Sequence, residues 1–232
     1  MASAIDILEA LGLKRRKESK RSVESPRTFF DHALSLIQNR TGIVIDVGAN
    51  GGFETRKSIA QGREVLAVEC LSSAYMDLLK DHEFMRHSNV TLLHLCAGDK
   101  AGIMQLHLAQ DSSSLISNNI AEGKEREKAI KQGQLGTTTE DVVVMPLDRF
   151  VSKEVALIKI DTQGFEYRVV LGLQHTIRKY LPVITYEDVS LNPGPRMNWV
   201  NSGETYKFLK EKFGYLCEQF DLKAADYICR AG

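Results

Sequence analysis

Residues 43–52 read Ile43-Val44-Ile45-Asp46-Val47-Gly48-Ala49-Asn50-Gly51-Gly52. A short, almost wholly apolar run carries an acid at its end and passes directly into a glycine-rich turn. Such a run, with no polar alternation, predicts a strand buried on both faces, as in a parallel sheet. The turn lets a ligand approach the backbone, because glycine has no side chain in the way. A second apolar run, Val65–Glu69, ends in another acid. It lies roughly twenty residues on, the spacing at which an acid grips the hydroxyls of a ribose. Together the two strand ends predict a nucleoside-cofactor site. The plainer alternative is that Asp46 caps the next helix and Glu69 is an exposed strand end.

Working outward, strands are predicted at 43–47, 65–69, 90–95, 156–160 and 183–186, and helices at 27–39, 54–61, 74–82, 166–180 and 204–213. This alternation predicts an α/β fold: a doubly wound, mostly parallel sheet covered on both faces. Runs at 215–220 and 226–230 predict an antiparallel C-terminal hairpin at the sheet edge. Segments 103–108 and 142–146 read as extra strands. Between them, residues 111–140 form a long polar insertion, either an active-site lid or a solvated loop, with helical character at 121–132.

The chain of 232 residues is long enough for one such domain, and its 43% hydrophobic and 26% charged content is that of an ordinary globular protein. A formal net charge of zero gives no global pull toward nucleic acid or membrane. The local exception is Lys14-Arg15-Arg16-Lys17 with Lys20 and Arg21, read as a solvated linker or an anionic-surface or RNA contact. It follows a short amphipathic helix expected at 3–12. Cys70, Cys96, Cys217 and Cys229 form no CxxC pair and no spaced metal set. They are expected to be reduced, buried residues of a reducing compartment, with the cytosol as the default. No apolar run approaches the ~20 residues of a membrane span.

The register of the first turn decides between cofactors. A dinucleotide turn needs GxGxxG, but Asn50 and Phe53 stand where its second and third glycines belong. No Gly-Lys-Ser/Thr follows, so a P-loop fails too. An acid beside the turn suits a cationic ligand rather than a diphosphate. S-adenosylmethionine, with an ammonium and a sulfonium, fits that demand. Asp46, Gly48, Asn50 and Gly52 are expected to hold its amino-acid end and Glu69 its ribose, with Cys70 in the loop beside the ribose. Ala97 and Gly98, in Cys96-Ala97-Gly98-Asp99, are expected to border the adenine.

A second block, Leu157-Ile158-Lys159-Ile160-Asp161-Thr162-Gln163-Gly164-Phe165-Glu166, repeats the pattern of strand, acid, turn and helix. Strand carboxyl ends converge on one crevice in a doubly wound sheet, so Asp161 should face the cleft of Asp46 and Glu69. Glu187 closes the next strand. Buried carboxylates gathered in one crevice are costly unless a ligand or partner uses them. Asp161 is the expected base or acceptor-positioning group, with Glu187 or Glu166 second. Glu166, in the first helical turn, has a helix-dipole role as its alternative. Lys159 is expected on the opposite sheet face from Asp161, hence in a structural or supporting role.

These blocks, with Ala67-Val68-Glu69, Leu147-Asp148-Arg149-Phe150 and Val170-Leu171-Gly172, resemble the FkbM-type methyltransferases over roughly residues 42–190. The family often has Asp-Val-Glu-Gly-Ala-Glu where this chain has Asp161-Thr162-Gln163-Gly164-Phe165-Glu166. The middle acid is therefore Gln163, which weakens any metal-binding role and leaves Asp161 and Glu166. A proline common after the second-strand Glu is replaced by Cys70. The resemblance implies a class I methyltransferase-like (Rossmann-like) fold over residues 27–232, after an N-terminal helix and basic linker at 1–26. It also implies methyl transfer from S-adenosylmethionine to an oxygen, often a sugar or polyketide hydroxyl. The expected partner is a small-molecule or glycan acceptor. Nucleic acid, membrane insertion and a metal are not expected.

Two rival readings remain: an RNA or protein methyltransferase anchored by the basic segment, and a non-catalytic binding module. Ser112-Ser113-Ser114 and Trp199 are further candidates for ligand contact, each with a plain loop role as the alternative. The six histidines show no metal spacing.

Overall fold

The computed structural model describes residues 28–108, 113, 138–187, 203–220 and 226–232. The expected helices at 3–12 and 121–132, the basic segment and Trp199 lie outside these residues.

Seven strands form the main sheet: β1 (Ile43–Val47), β2 (Val65–Glu69), β3 (Val90–His94), β7 (Val155–Ile160), β8 (Val183–Glu187), β9 (Tyr215–Gln219) and β10 (Asp226–Ala231). Their order is β3-β2-β1-β7-β8-β10-β9. The first five are mutually parallel, and β10 and β9 close the sheet antiparallel. β9 is thus the edge strand of the predicted hairpin. The two extra strands belong to a separate sheet, β4-β6-β5, built from β4 (Cys96–Ala97), β5 (Gly102–His107) and β6 (Thr139–Met145).

Strands β1, β7 and β8 are buried on both faces, which explains their unbroken apolar character. One face packs Ile45, Val47, Ile158 and Ile160 against Val169, Leu173 and Ile177. The other packs Val44, Ala156 and Leu157 against Phe30, Ala33, Leu34 and Ile37 of α1 (Phe29–Leu36). Helix α1 starts at a reciprocal cap between Thr28 and Asp31. Helix α2 (Phe53–Ala60) follows β1 and α3 (Ser72–Lys80) follows β2. Asp81 then caps a single turn, α4 (His82–Met85), by accepting from the Phe84 N–H at 3.0 Å.

The expected helix 166–180 is two helices, α5 (Glu166–Leu171) and α6 (Gln174–Tyr180). Asp148 causes the break. Its carboxylate accepts from the backbone N–H of His175 and Thr176 and from the Thr176 hydroxyl, at 2.6–2.9 Å, starting α6 anew. The Asp148 N–H in turn donates to the Gly172 carbonyl at 3.0 Å. Two sequence blocks outside the crevice therefore serve one structural joint. Helix α7 (Glu204–Phe213) precedes the hairpin.

The cysteines depart from expectation. Cys70 is disulfide-bonded to Cys96, and Cys217 to Cys229. The first pair links the end of β2 to β4. The second lies directly opposite in the β9–β10 register. Sequence spacing alone could not bring these partners together. No described helix is long and apolar enough to cross a membrane.

A Cβ at Gly172 would stand 2.0 Å from the Gly98 carbonyl oxygen. Backbone meets backbone there, so nothing can give way. Gly172→Ala is expected to lower unfolding free energy by about 1–3 kcal/mol, an overpacking cost, measured by denaturant titration.

Candidate active site

The sheet order turns outward in opposite directions from β1 and β7, which makes their carboxyl ends the switch point. The two turns leaving these strands touch. Gly48 has φ of +79°, and a Cβ on it would lie 1.9 Å from the Asp161 carbonyl oxygen. Both the backbone angle and the space require glycine. The Gly48 N–H donates to the Val68 carbonyl at 2.9 Å, tying the turn to β2 as well. Asn50, at φ +43°, aims its N–H at Glu69 Oε2, 2.7 Å away. Glu69 Oε1 accepts from the Leu71 N–H at 2.7 Å. Burial pushes the Glu69 carboxyl above its ordinary pKa, while the N–H bonds of Leu71, Asn50 and Cys70 pull it back. Glu69 thus organises the turns after β1 and β2 together.

A pocket of about 240 Å³ opens over these turns. Gly48 and Asn50 form one side, and Val68, Glu69, Cys70 and Leu71 a second. Leu95, Cys96, Ala97 and Leu106 form an apolar wall, and Asp161, Thr162, Gln163 and Phe165 of the neighbouring turn complete the lining. Ser113, from the insertion, also lines it. Of the residues expected to hold the cofactor, Gly48, Asn50, Glu69, Cys70 and Ala97 reach the pocket. Asp46, Gly52 and Gly98 stand behind its wall. Asp46 is fully buried, accepting from the Thr55 hydroxyl at 2.6 Å and pairing with Lys159 Nζ at 3.2 Å. Gly52 starts α2 at φ +74°, where a Cβ would crowd Leu78 and Phe84 at 2.8 Å. At Gly98 a Cβ would meet Val144 at 2.5 Å.

Asp161 is the half-exposed acid of the site, with its side chain 43% accessible. Gln163 bridges the two acids expected to act together. Its Nε2 donates to Asp161 Oδ1 at 2.8 Å and to Glu187 Oε2 at 3.2 Å. Burial raises the Glu187 pKa, reinforced by the charges of Asp161 and Asp226. Asp226 stands opposite Glu187 in the β8–β10 register. Neither Glu187 nor Glu166 lines the pocket. Glu166 Oε1 instead accepts from the Thr162 N–H, the Thr162 hydroxyl and the Gly164 N–H at 3.0–3.1 Å, holding the turn after β7 in shape. Among the described residues, no group of three or more His, Cys, Asp or Glu is disposed to hold a metal.

Lys159 does not lie on the face opposite Asp161. Residues two apart on a strand share a face, and Lys159 Nζ lies 3.9 Å from Asp161 Oδ2. It also donates to the Gly48 carbonyl at 2.7 Å. The parity of the strand was the signal that identifies this neighbour. Gln163 carried no comparable signal, because a glutamine in a turn is ordinarily a solvated residue.

Burial pushes the Glu166 carboxyl up to about 7, against the pull of the backbone N–H groups of Glu166, Gly164 and Thr162 and of the Thr162 hydroxyl. A carboxyl raised on folding adds stability below about pH 4.5, its unfolded value, and loses it as pH rises through about 7. Wild type should therefore lose stability between these two values relative to Glu166→Gln, whose amide oxygen can keep the same donors. Thermal melts of both proteins across that window check this; parallel pH profiles would contradict it.

The methyltransferase FkbM domain model matches residues 46–217, the span that holds both turns and the pocket. No curated protein matches the chain in sequence. Among solved structures, the chain is similar to a putative caffeoyl-CoA O-methyltransferase from Staphylococcus aureus, with TM-score 0.55 and 12% identity, covering 100% of this chain and 93% of that one. It is similar to the O-methyltransferase from Bacillus cereus in complex with SAH, with TM-score 0.50 and 12% identity, covering 98% and 88%. A methyltransferase FkbM from Methylobacillus flagellatus aligns with TM-score 0.49 and 14% identity, over 82% of this chain but only 43% of that one. The first two likenesses show a class I methyltransferase fold, and the domain match over residues 46–217 shows that the chain belongs to the FkbM methyltransferase family.

Proposed function

We propose that this domain transfers a methyl group from S-adenosylmethionine to a hydroxyl of a small-molecule acceptor, with a sugar or glycan as the leading class. The observation that carries the reading is the convergence of the Gly48–Asn50 turn, Glu69 and Asp161 on one pocket at the switch point. The donor set suits the cofactor. Val68, Leu71, Leu95 and Leu106 offer apolar walls for a base. The Glu69 carboxylate has about four acceptor sites and gives part of them to N–H groups, so it retains capacity for ribose hydroxyls. Acids around the Gly48 end suit a cation.

Bound S-adenosylmethionine would supply an electrophilic methyl on a sulfonium. The protein's own part is to place an alcohol oxygen in line and to receive its proton. Asp161 is the residue for that proton: it lines the pocket, remains partly accessible, and is steered by Gln163. Glu187 shares the Gln163 amide and acts through it. Glu166 acts on the shape of the turn. The sugar preference rests on the family resemblance, and the hydroxyl on the carboxylate at the pocket rim.

Calorimetry with S-adenosylhomocysteine should show saturable binding to the folded protein; no heat of binding would refute the cofactor assignment. Asp161→Ala should keep affinity for that ligand while lowering turnover at least ~10²-fold on whichever acceptor a labelled-cofactor glycan panel reveals. Undiminished turnover would remove Asp161 from the chemistry.

A further inference from the structure

Lys159 is buried at the middle of the sheet's working edge, with a relative exposure of 6%. Its strand neighbours in register are Asp46 on β1 and Thr185 on β8. The ammonium donates to the Gly48 carbonyl at 2.7 Å and lies 3.2 Å from Asp46 Oδ1 and 3.9 Å from Asp161 Oδ2. Glu54, at the start of α2, adds a further attracting charge. Burial pulls the lysine's pKa down, but Asp46, Asp161 and Glu54 more than offset it, so the net shift is upward and the ammonium stays charged.

A buried ion pair is a poor device for stability alone, because well-packed apolar side chains often do as well or better. The three contacts of Lys159 suggest a different use. They belong to three parts of the site: the turn that lines the pocket, the buried acid beneath it, and the acid at its rim. Gly48 and Asp161 are also where the two turns press together. A single group therefore bonds the Gly48 carbonyl and draws the Asp161 carboxylate toward it by charge.

We propose that Lys159 is a positioning residue that locks the Gly48 turn to Asp161, so that cofactor affinity and the placement of the proton acceptor depend on one buried ammonium. This rests on the pocket being the S-adenosylmethionine site. Its charge has a second effect. Lys159 offsets the acids around the Gly48 end, and without it that end becomes more negative. A sulfonium ligand then gains relative to S-adenosylhomocysteine, whose sulfur is neutral.

The test is calorimetry of the full chain with S-adenosylhomocysteine and with S-adenosylmethionine. In Lys159→Met, affinity for the homocysteine ligand should fall about tenfold, the worth of a hydrogen bond from a charged group. Affinity for S-adenosylmethionine should fall less, so that the ratio of the two Kd values shifts severalfold toward the sulfonium. Lys159→Met leaves Asp46 without its cation, so the double variant Lys159→Met with Asp46→Asn serves as the second arm. There one positive and one negative charge are removed together. The tenfold loss should persist while the Kd ratio returns toward wild type. A purely structural lysine would move melting temperature without moving that ratio. A folded variant binding both ligands as wild type does overturns the proposal, and so does failure of both variants to fold, which would make Lys159 a folding residue. If wild type binds neither ligand, the cofactor assignment itself falls and this inference with it.

Discussion

The close approach of the turns after β1 and β7 is the constraint on which the site depends. Gly48 lies against the Asp161 backbone with no room for a Cβ, and the Lys159 ammonium bonds the same peptide from below. Parallel neighbours in a twisted sheet end at the same edge, so their following turns must share that space. Glycine at 48 makes the contact possible, and the buried Asp46–Lys159 pair gives it direction. The pocket is what remains above once both turns are pinned. Glu69 does for the β1–β2 side what Lys159 does for the β1–β7 side: a charged group takes up backbone polar atoms that irregular chain leaves unpaired.

The division of labour among the acids follows from burial. Asp46 and Glu166 are enclosed: Asp46 bonds the Thr55 hydroxyl and pairs with Lys159, and Glu166 bonds Thr162 and Gly164. They shape the turns. Asp161 stays partly accessible, and Gln163 spans it and Glu187. Between these two acids the chain places a neutral amide with two donors. A third carboxylate there would repel its neighbours; an amide can bond both.

Much of this was legible in the sequence because apolar strands bounded by turns leave a strong signal. β1, β2 and α7 fall where the pattern puts them, and β3, β7 and β8 to within a residue at one end. Gly48, Asn50, Glu69 and Asp161 reach the pocket because strand ends in a doubly wound sheet converge. Three things were not legible. The break between α5 and α6 depends on Asp148, distant in sequence, capping a helix whose apolar stripe otherwise runs on. The cysteine pairs depend on which strands become neighbours across two sheets. The depth of Asp46, Gly52 and Gly98 depends on packing behind the turns, and a glycine kept for tight packing looks, in sequence, like one kept for a ligand.

The bond between Cys70 and Cys96 is a seam between the two sheets. Both residues face the pocket, yet one leaves the main sheet and the other belongs to the small one. Alongside it run ordinary hydrogen bonds, such as that from the Leu95 N–H to the Glu69 carbonyl at 3.1 Å. The cavity wall is thus stitched partly by sulfur chemistry. A milieu rich in thiols would leave the seam to its weaker threads, and the redox state of the surroundings would become part of the shape a ligand meets.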